Sequence, residues 1–277
     1  MKKVLLLILV LTTVMSKIYA QDDRKFRFGI HTTPAINWMS PNDERKMVNS
    51  GAKLKAGIGL VIEYKITDVV SFQTGLDITG AGFKAKYNTD TAFYISKEDL
   101  ISEAVIKGDS INSPYPLFGY GYSSVRLKER SYNTTYLSIP LLLKMKTKDI
   151  SGFTYFAQIG GNLFGRLNAT STDDVERNTI SGTTLVKRDE TIENVNITST
   201  MNVLTACGNI GAGLEYNISG STSLFASINY QHHFMNMTKA DSGNLLRSRI
   251  ESSKSYISEF QNGVKLRQIV LCIGVLF

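Results

Sequence analysis

The sequence predicts an all-β chain, an eight-stranded antiparallel up-and-down transmembrane β-barrel, and two observations point there. The first is the stretch Thr134 to Thr147, where Leu137, Ile139, Leu141, Leu143 and Met145 alternate with Tyr136, Ser138, Pro140, Leu142 and Lys144. A period of two sends the first set to one face of a strand and the second to the other. Eight steps of ~3.3 Å, inclined by ~40°, give an apolar band roughly 20 Å tall, comparable to the lipid-facing band of an outer-membrane barrel. The second is the spacing of the connections. Short turns near residues 67, 149 and 218 alternate with long loops near 44, 110, 184 and 250, which puts the turns at one end of a barrel and the loops at the other.

Residues 1–20 open with Lys2 and Lys3, run apolar from Val4 to Val10 and end on the small residue Ala20. The run is shorter than the ~20 residues of a membrane helix, so the segment reads as a secretory signal peptide, leaving residues 21–277 as the barrel domain with four extracellular loops. The residue directly after the cleavage site is Gln21, not cysteine, so no lipid anchor is expected. Without those residues the chain holds 28 basic against 24 acidic side chains, a net +4 instead of +7. That excess favours an anionic surface such as lipopolysaccharide. The basic residues are scattered, which argues against nucleic acid. Cys207 and Cys272 fall in the interiors of different strands, so two buried free thiols are expected.

The strands follow in order. Phe26 opens the first, which runs to about Trp38, and the polar loop Ser40 to Lys46 follows. The second sets Ala56, Ile58, Leu60, Ile62, Tyr64 and Ile66 against Gly57, Gly59, Val61, Glu63 and Lys65; the third sets Val70, Phe72, Leu76 and Ile78 against Ser71, Gln73, Gly75 and Asp77 and reaches about Tyr87. Residues 88–130 read as a long loop with a short helix from Ser96 toward Lys107 and an aromatic piece holding Tyr115, Phe118, Tyr120 and Tyr122. The fourth strand is the opening stretch, and the fifth runs from Gly152 to about Asn168. Residues 170–197 and 238–261 read as polar loops. They bracket a sixth strand from Thr198 to Tyr216 and a seventh from Leu224 to Phe234. The eighth places Ile269, Leu271, Ile273, Val275 and Phe277 in one register.

A water-soluble barrel would turn the apolar register inward. Here Gly57, Gly59, Gly75 and Gly274 share a register with Glu63, Asp77 and Lys144, and small residues belong on a crowded interior, so the leucines face lipid. Aromatics flank the band as interfacial girdles, with Tyr64, Phe72, Phe153, Tyr216 and Phe277 near the turns and Trp38, Phe164 and Phe234 near the loops. Pro140 lacks a ladder donor, so a bulge or a missing bond is expected beside it.

The run Tyr136, Leu137, Ser138, Ile139, Pro140, Leu141, Leu142, Leu143, Lys144 resembles the signature of the PorT-like outer-membrane barrels of the Bacteroidetes. The resemblance covers most of the chain and implies the outer membrane of a Gram-negative bacterium. Some family members serve a gliding-associated secretion system, so secretion-system components become expected partners. Phe277 resembles the terminal aromatic signal read by the barrel-insertion machinery.

For chemistry, His232 and His233 lie near Ser227 and Asn229, but adjacent strand residues face opposite ways and no acid shares the register, so no hydrolase site is expected. His31 and His233 lack metal-ligand spacing. No cofactor and no metal are expected, and the chain is not expected to be an enzyme. Glu63, Lys65, Asp77, Lys144, Arg166, Glu215, Lys265 and Arg267 are expected inside, where an eight-stranded barrel is just wide enough for side chains to fill it. Lys144 is expected to pair with at least one of Glu63, Asp77 and Glu215. The function expected is that of a closed, non-enzymatic secretion-accessory or structural membrane protein. The alternatives are a surface binding protein that uses its loops, or a narrow pore.

Overall fold

The computed structural model describes residues 25–88, 93–94, 123–181, 184–239, 241–251 and 254–277. The signal segment 1–20, the helix expected from Ser96 and the aromatic piece 115–122 lie outside the described residues. Eight strands close into a ring: β1 (Phe26–Thr32), β2 (Gly57–Lys65), β3 (Val70–Tyr87), β4 (Ser123–Lys146), β5 (Phe153–Ser181), β6 (Leu204–Ser219), β7 (Thr222–His233) and β8 (Val264–Leu276). Each is antiparallel to its neighbour in sequence, and β8 closes onto β1 through Gly29↔Leu276.

Local chemistry makes the tight ends. Between β2 and β3, Thr67 Oγ1 accepts the amides of Val69 and Val70, while Lys65 reaches Asp68 at 2.8 Å. Between β4 and β5, Ser151 and Gly152 both take positive φ, 57° and 86°, the backbone twist a two-residue hairpin demands. Asp149 Oδ1 accepts the Gly152 amide at 2.9 Å.

Register then decides what each face meets. Ile139, Leu141, Leu143 and Met145 stand exposed on the outer wall, joined by Ile58, Leu60, Leu76, Ile78, Ile159, Ile210, Ile228 and Ile273 from other strands. Tyr136, Ser138, Leu142 and Lys144 are buried inside. Beside Pro140 the β3–β4 ladder lapses between Thr74↔Leu141 and Asp77↔Ser138 with its register unchanged. The proline is therefore accommodated by missing pairs, without an extra residue.

The strands do not stop where the apolar belt stops. β4 has 24 residues and β5 has 29, whereas ~9–11 residues cross a bilayer. Beyond the belt the hydrophobic pattern turns inside out. On β3 the outward Phe72, Leu76 and Ile78 give way to the buried Ala81, Phe83, Ala85 and Tyr87. These join Leu127 and Tyr132 of β4, Ala169 and Val175 of β5, and Val264 and Leu266 of β8 in one core. The segments expected to be loops accordingly contain strands: residues 123–133 belong to β4, residues 170–181 to β5, Thr184–Asn196 pairs with β5, and Asp241–Glu251 pairs with Lys254–Gln261. The first strand is interrupted at Thr33 and Pro34 and resumes as Ala35–Pro41 against β8. Met47–Gly51 adds to β3 and Lys53–Lys55 to Ala35–Asn37.

One girdle expectation changes. Phe164 is buried, against Tyr136 at 5.9 Å and His233 at 5.0 Å between ring centres. Tyr155 and Tyr230 stand on the outer wall, in the apolar registers of their strands.

Candidate functional site

The lumen is the chemically distinctive region, and it is layered. Nearest the tight turns, five charged side chains meet. β4 alternation points Lys144 and Lys146 inward, β2 supplies Glu63, β6 supplies Glu215 and β1 supplies Arg27. Lys144 Nζ donates to Glu63 Oε2 at 3.1 Å and also to Glu215 Oε1. Lys146 Nζ donates to Glu63 Oε1 and lies 3.1 Å from Glu215 Oε1. Arg27 Nη1 donates to Glu215 Oε2 at 2.8 Å and stands 3.7 Å from Glu63. Three cations thus face two carboxylates, and the surplus positive charge has an aromatic neighbour: Lys144 Nζ sits 4.0 Å from the centre of the Phe156 ring, a cation–π distance.

Above this lies a layer of amides. Asn209 donates to Asn162 at 3.0 Å, Gln158 donates to Asn229, and Asn229 donates to Ser227 at 3.0 Å. Asp77 belongs here and not with Lys144. It opposes Ser138, whereas Lys144 opposes Ser71, a separation of six strand positions or roughly 20 Å. Its partner is His31, whose Nε2 lies 3.0 Å from Asp77 Oδ1, too far out of line to count as a hydrogen bond. Glycines make the room: a Cβ on Gly59 would overlap Asp77 Oδ1, and one on Gly274 would stand 2.7 Å from His31 Cβ.

Arg166 is also elsewhere. The β4–β5 register shifts between Thr135 and Tyr136, and Arg166, at that irregularity, donates to the Thr198 carbonyl. Lys65 is spent at its turn on Asp68. Lys265 and Arg267 share the outward register of Ile269, opposite Ser40 and Trp38; the inward side chains of that stretch are Val264, Leu266 and Gln268.

The loop-side end holds the apolar core and a buried ion pair that sequence reasoning missed, because both partners sit in stretches that look like loop. Arg130 Nε and Nη2 donate to Asp173 Oδ1 and Oδ2 at 2.7 and 2.6 Å, and Ser171 donates to Asp173 at 2.8 Å. Burial works against the Arg130 charge, yet the paired bonds and charge of Asp173 lift its pKa above the ordinary guanidinium value. Next to it, the Tyr87 and Tyr132 hydroxyls lie 2.7 Å apart, and burial drives the Tyr87 phenol well above its usual pKa.

The histidines do not converge. His233 faces inward with Nδ1 3.3 Å from Thr205 Oγ1, and His232 sits beside Phe234. Among the described residues, no three His, Cys, Asp or Glu side chains form a group fit for a metal. Cys207 and Cys272 are free and buried. The arrangement pairs opposite charges and fills space.

A family profile described as "Outer membrane protein beta-barrel domain" matches residues 19–258. No curated protein sequence matches the chain. Among solved structures, Neisserial surface protein A (NspA) is 10% identical, with 91% of this chain and 96% of that one covered at a TM-score of 0.33. Outer membrane protein OprG from Pseudomonas aeruginosa is 10% identical, with 91% and 95% covered at 0.36. The attachment invasion locus protein Ail of Yersinia pestis is 11% identical, with 91% and 99% covered at 0.27.

Proposed function

This chain belongs to the outer membrane protein beta-barrel domain family, and on that premise we propose that it works in the Gram-negative outer membrane as a closed, non-enzymatic barrel with a structural or secretion-accessory role. The observation behind this reading is the filled lumen. Ion pairs at the turn end, amides in the middle and an apolar core at the loop end occupy the interior of an eight-stranded ring, which is just wide enough for side chains. A conducting path would need a continuous polar surface, and the buried Phe83, Leu127, Tyr132 and Leu266 interrupt it.

The role is then exercised outside the barrel, through its wall or its loop-side sheet. The likeness of Tyr136 to Lys144 to the PorT-like signature supports the accessory form of the reading. Two measurements test it. Purified protein in planar bilayers should give no single-channel steps, and discrete steps would favour the pore. Deleting the gene should leave exported cargo in the periplasm. An unchanged secretome with lost surface recognition would favour a binding protein.

A further inference from the structure

On the outer wall, directly above the apolar belt, three lysines gather with no acid between them. Lys53 and Lys55 send their stems across β3 over Gly80 and Gly82. A Cβ on Gly82 would lie 3.2 Å from Lys55 Cε and 3.3 Å from Lys53 Cδ, and one on Gly80 would lie 3.5 Å from Lys55 Cβ. The two glycines form a trough that any other residue would fill. Beyond it, Lys53 Nζ donates to Ser131 Oγ at 2.7 Å, to the Tyr132 carbonyl at 3.1 Å and to Asn133 Oδ1 at 2.6 Å. Lys55 Nζ donates to the same Asn133 oxygen at 2.8 Å.

The β3–β4 register is continuous here, so Gly80, Gly82 and Lys84 share the outward face with Leu76 and Ile78, as Ser131 and Asn133 do with Ile139 and Leu141. The ammonium groups therefore lie on the side of the wall that meets lipid, at the level where the belt ends. Two ammonium groups share one neutral oxygen, and Lys84 adds a third charge. Among the described residues no carboxylate pairs with any of the three. Glu129, in the same outward register, accepts the Ser50 hydroxyl at 3.0 Å instead. Burial first, then repulsion from Lys55 and Lys84, brings the Lys53 ammonium down to about 8, the mark of a cationic site short of counter-charge.

We propose that Lys53, Lys55 and Lys84, with Ser131 and Asn133, bind a phosphate group of lipid A, the membrane anchor of lipopolysaccharide. A phosphate monoester carries the charge the site lacks, and the outer leaflet presents such groups at the height where an apolar wall gives way to polar side chains. A free anion would have no need of a site that opens beside lipid. The inference rests on the outer-membrane reading with the long loops outside.

The test uses the full chain in phosphatidylcholine nanodiscs doped with bisphosphorylated lipid A, dephosphorylated lipid A, or neither, with retained lipid read by native mass spectrometry. Lipid A should be retained and its dephosphorylated form should not. Lys53→Gln with Lys55→Gln should cut retention at least tenfold. Lys84→Gln, which removes a side chain with no described hydrogen bond, should cut it severalfold in a barrel of normal heat-modifiable mobility. Equal retention of the dephosphorylated form, unchanged retention in the variants, or displacement by millimolar inorganic phosphate would overturn the proposal. Conductance and secretion assays read the functional proposal separately, since neither depends on these lysines.

Discussion

Ile78 and Phe83 stand on the same strand and serve opposite solvents: Ile78 is 52% exposed on the outer wall and Phe83 is 1% exposed inside. The change of face between them marks where the wall leaves the bilayer. Below it, lipid wets the leucines and isoleucines. Above it, water surrounds the sheet and the apolar side chains retreat inward, as in a soluble barrel. The two regions should therefore answer differently to mutation. Leu141→Arg, in the belt, should cost about 2–4 kcal/mol when unfolding is measured from lipid vesicles. Phe83→Ala should cost about 3–5 kcal/mol. A negligible cost at Leu141 would remove that wall from the bilayer.

The ion cluster makes an asymmetric prediction. Lys144→Met leaves Lys146 and Arg27 opposite Glu63 and Glu215, a balanced set, so its cost should be small. Glu215→Leu leaves three cations with Glu63 alone, and an uncompensated buried charge costs about 3–5 kcal/mol. Adding Lys144→Met to Glu215→Leu should recover much of that loss, whereas adding Asp77→Leu to either should recover none, because Asp77 sits in another layer with His31. Urea unfolding in vesicles measures all of these. Equal penalties for Lys144→Met and Glu215→Leu would mean that water screens the lumen.

Topology is open to a direct assay. An epitope at Thr184, where the strand Thr184–Asn196 begins, or at Asp109, outside the described residues, should be reached by antibody on intact cells. One at Asp149, in the tight turn before β5, should be hidden. The reverse pattern would invert the orientation.

Phe277 exchanges backbone hydrogen bonds with Phe28, at 2.7 and 3.3 Å, and its ring is exposed on the wall at the turn end. It contributes to ring closure, and we propose that its exposed ring also serves as an assembly signal. Its deletion should lower outer-membrane levels and raise periplasmic degradation. Normal levels with normal heat-modifiable mobility would argue against both roles.

The eight ring strands were legible from sequence because each crosses the belt with an unbroken period of two, as Leu137 to Met145 does. The extensions were not. Arg126 to Asn133 and Ala169 to Arg177 are polar on their outer face and carry only spaced inward anchors such as Leu127 and Val175, so they read as loop. Glu63, Glu215 and Lys144 lay in the inward register by simple alternation. Their meeting required the stagger between strands, which no single strand encodes. The same ignorance of stagger joined Asp77 to Lys144 on paper. Arg166 keeps the inward register opposite Tyr136, but its distance from the turn-end charges again depended on the stagger. Lys53 and Lys55 gave no signal at all, since their site depends on glycines in a different strand.

The lysine site also implies a dependence on pH. Lys53 faces Lys55 from its own segment, Lys84 from β3, and from β4 the Ser131 hydroxyl, the Asn133 amide and the Tyr132 carbonyl, with Glu129 held by Ser50. Its folded pKa, about 8, lies below the ordinary lysine value of 10.5. Between those two values the unfolded chain binds the proton and the folded chain does not, so stability should rise with pH across that window and the penalty should be fully present below it. Other lysines and tyrosines titrate there too, and a difference measurement removes them. In vesicles free of lipid A, the stability of the natural chain relative to Lys53→Met should increase from pH 7.5 to pH 9.5. Parallel pH profiles for the two proteins would show that Lys53 keeps an ordinary pKa, and the site would then hold no unmet charge for a phosphate to answer.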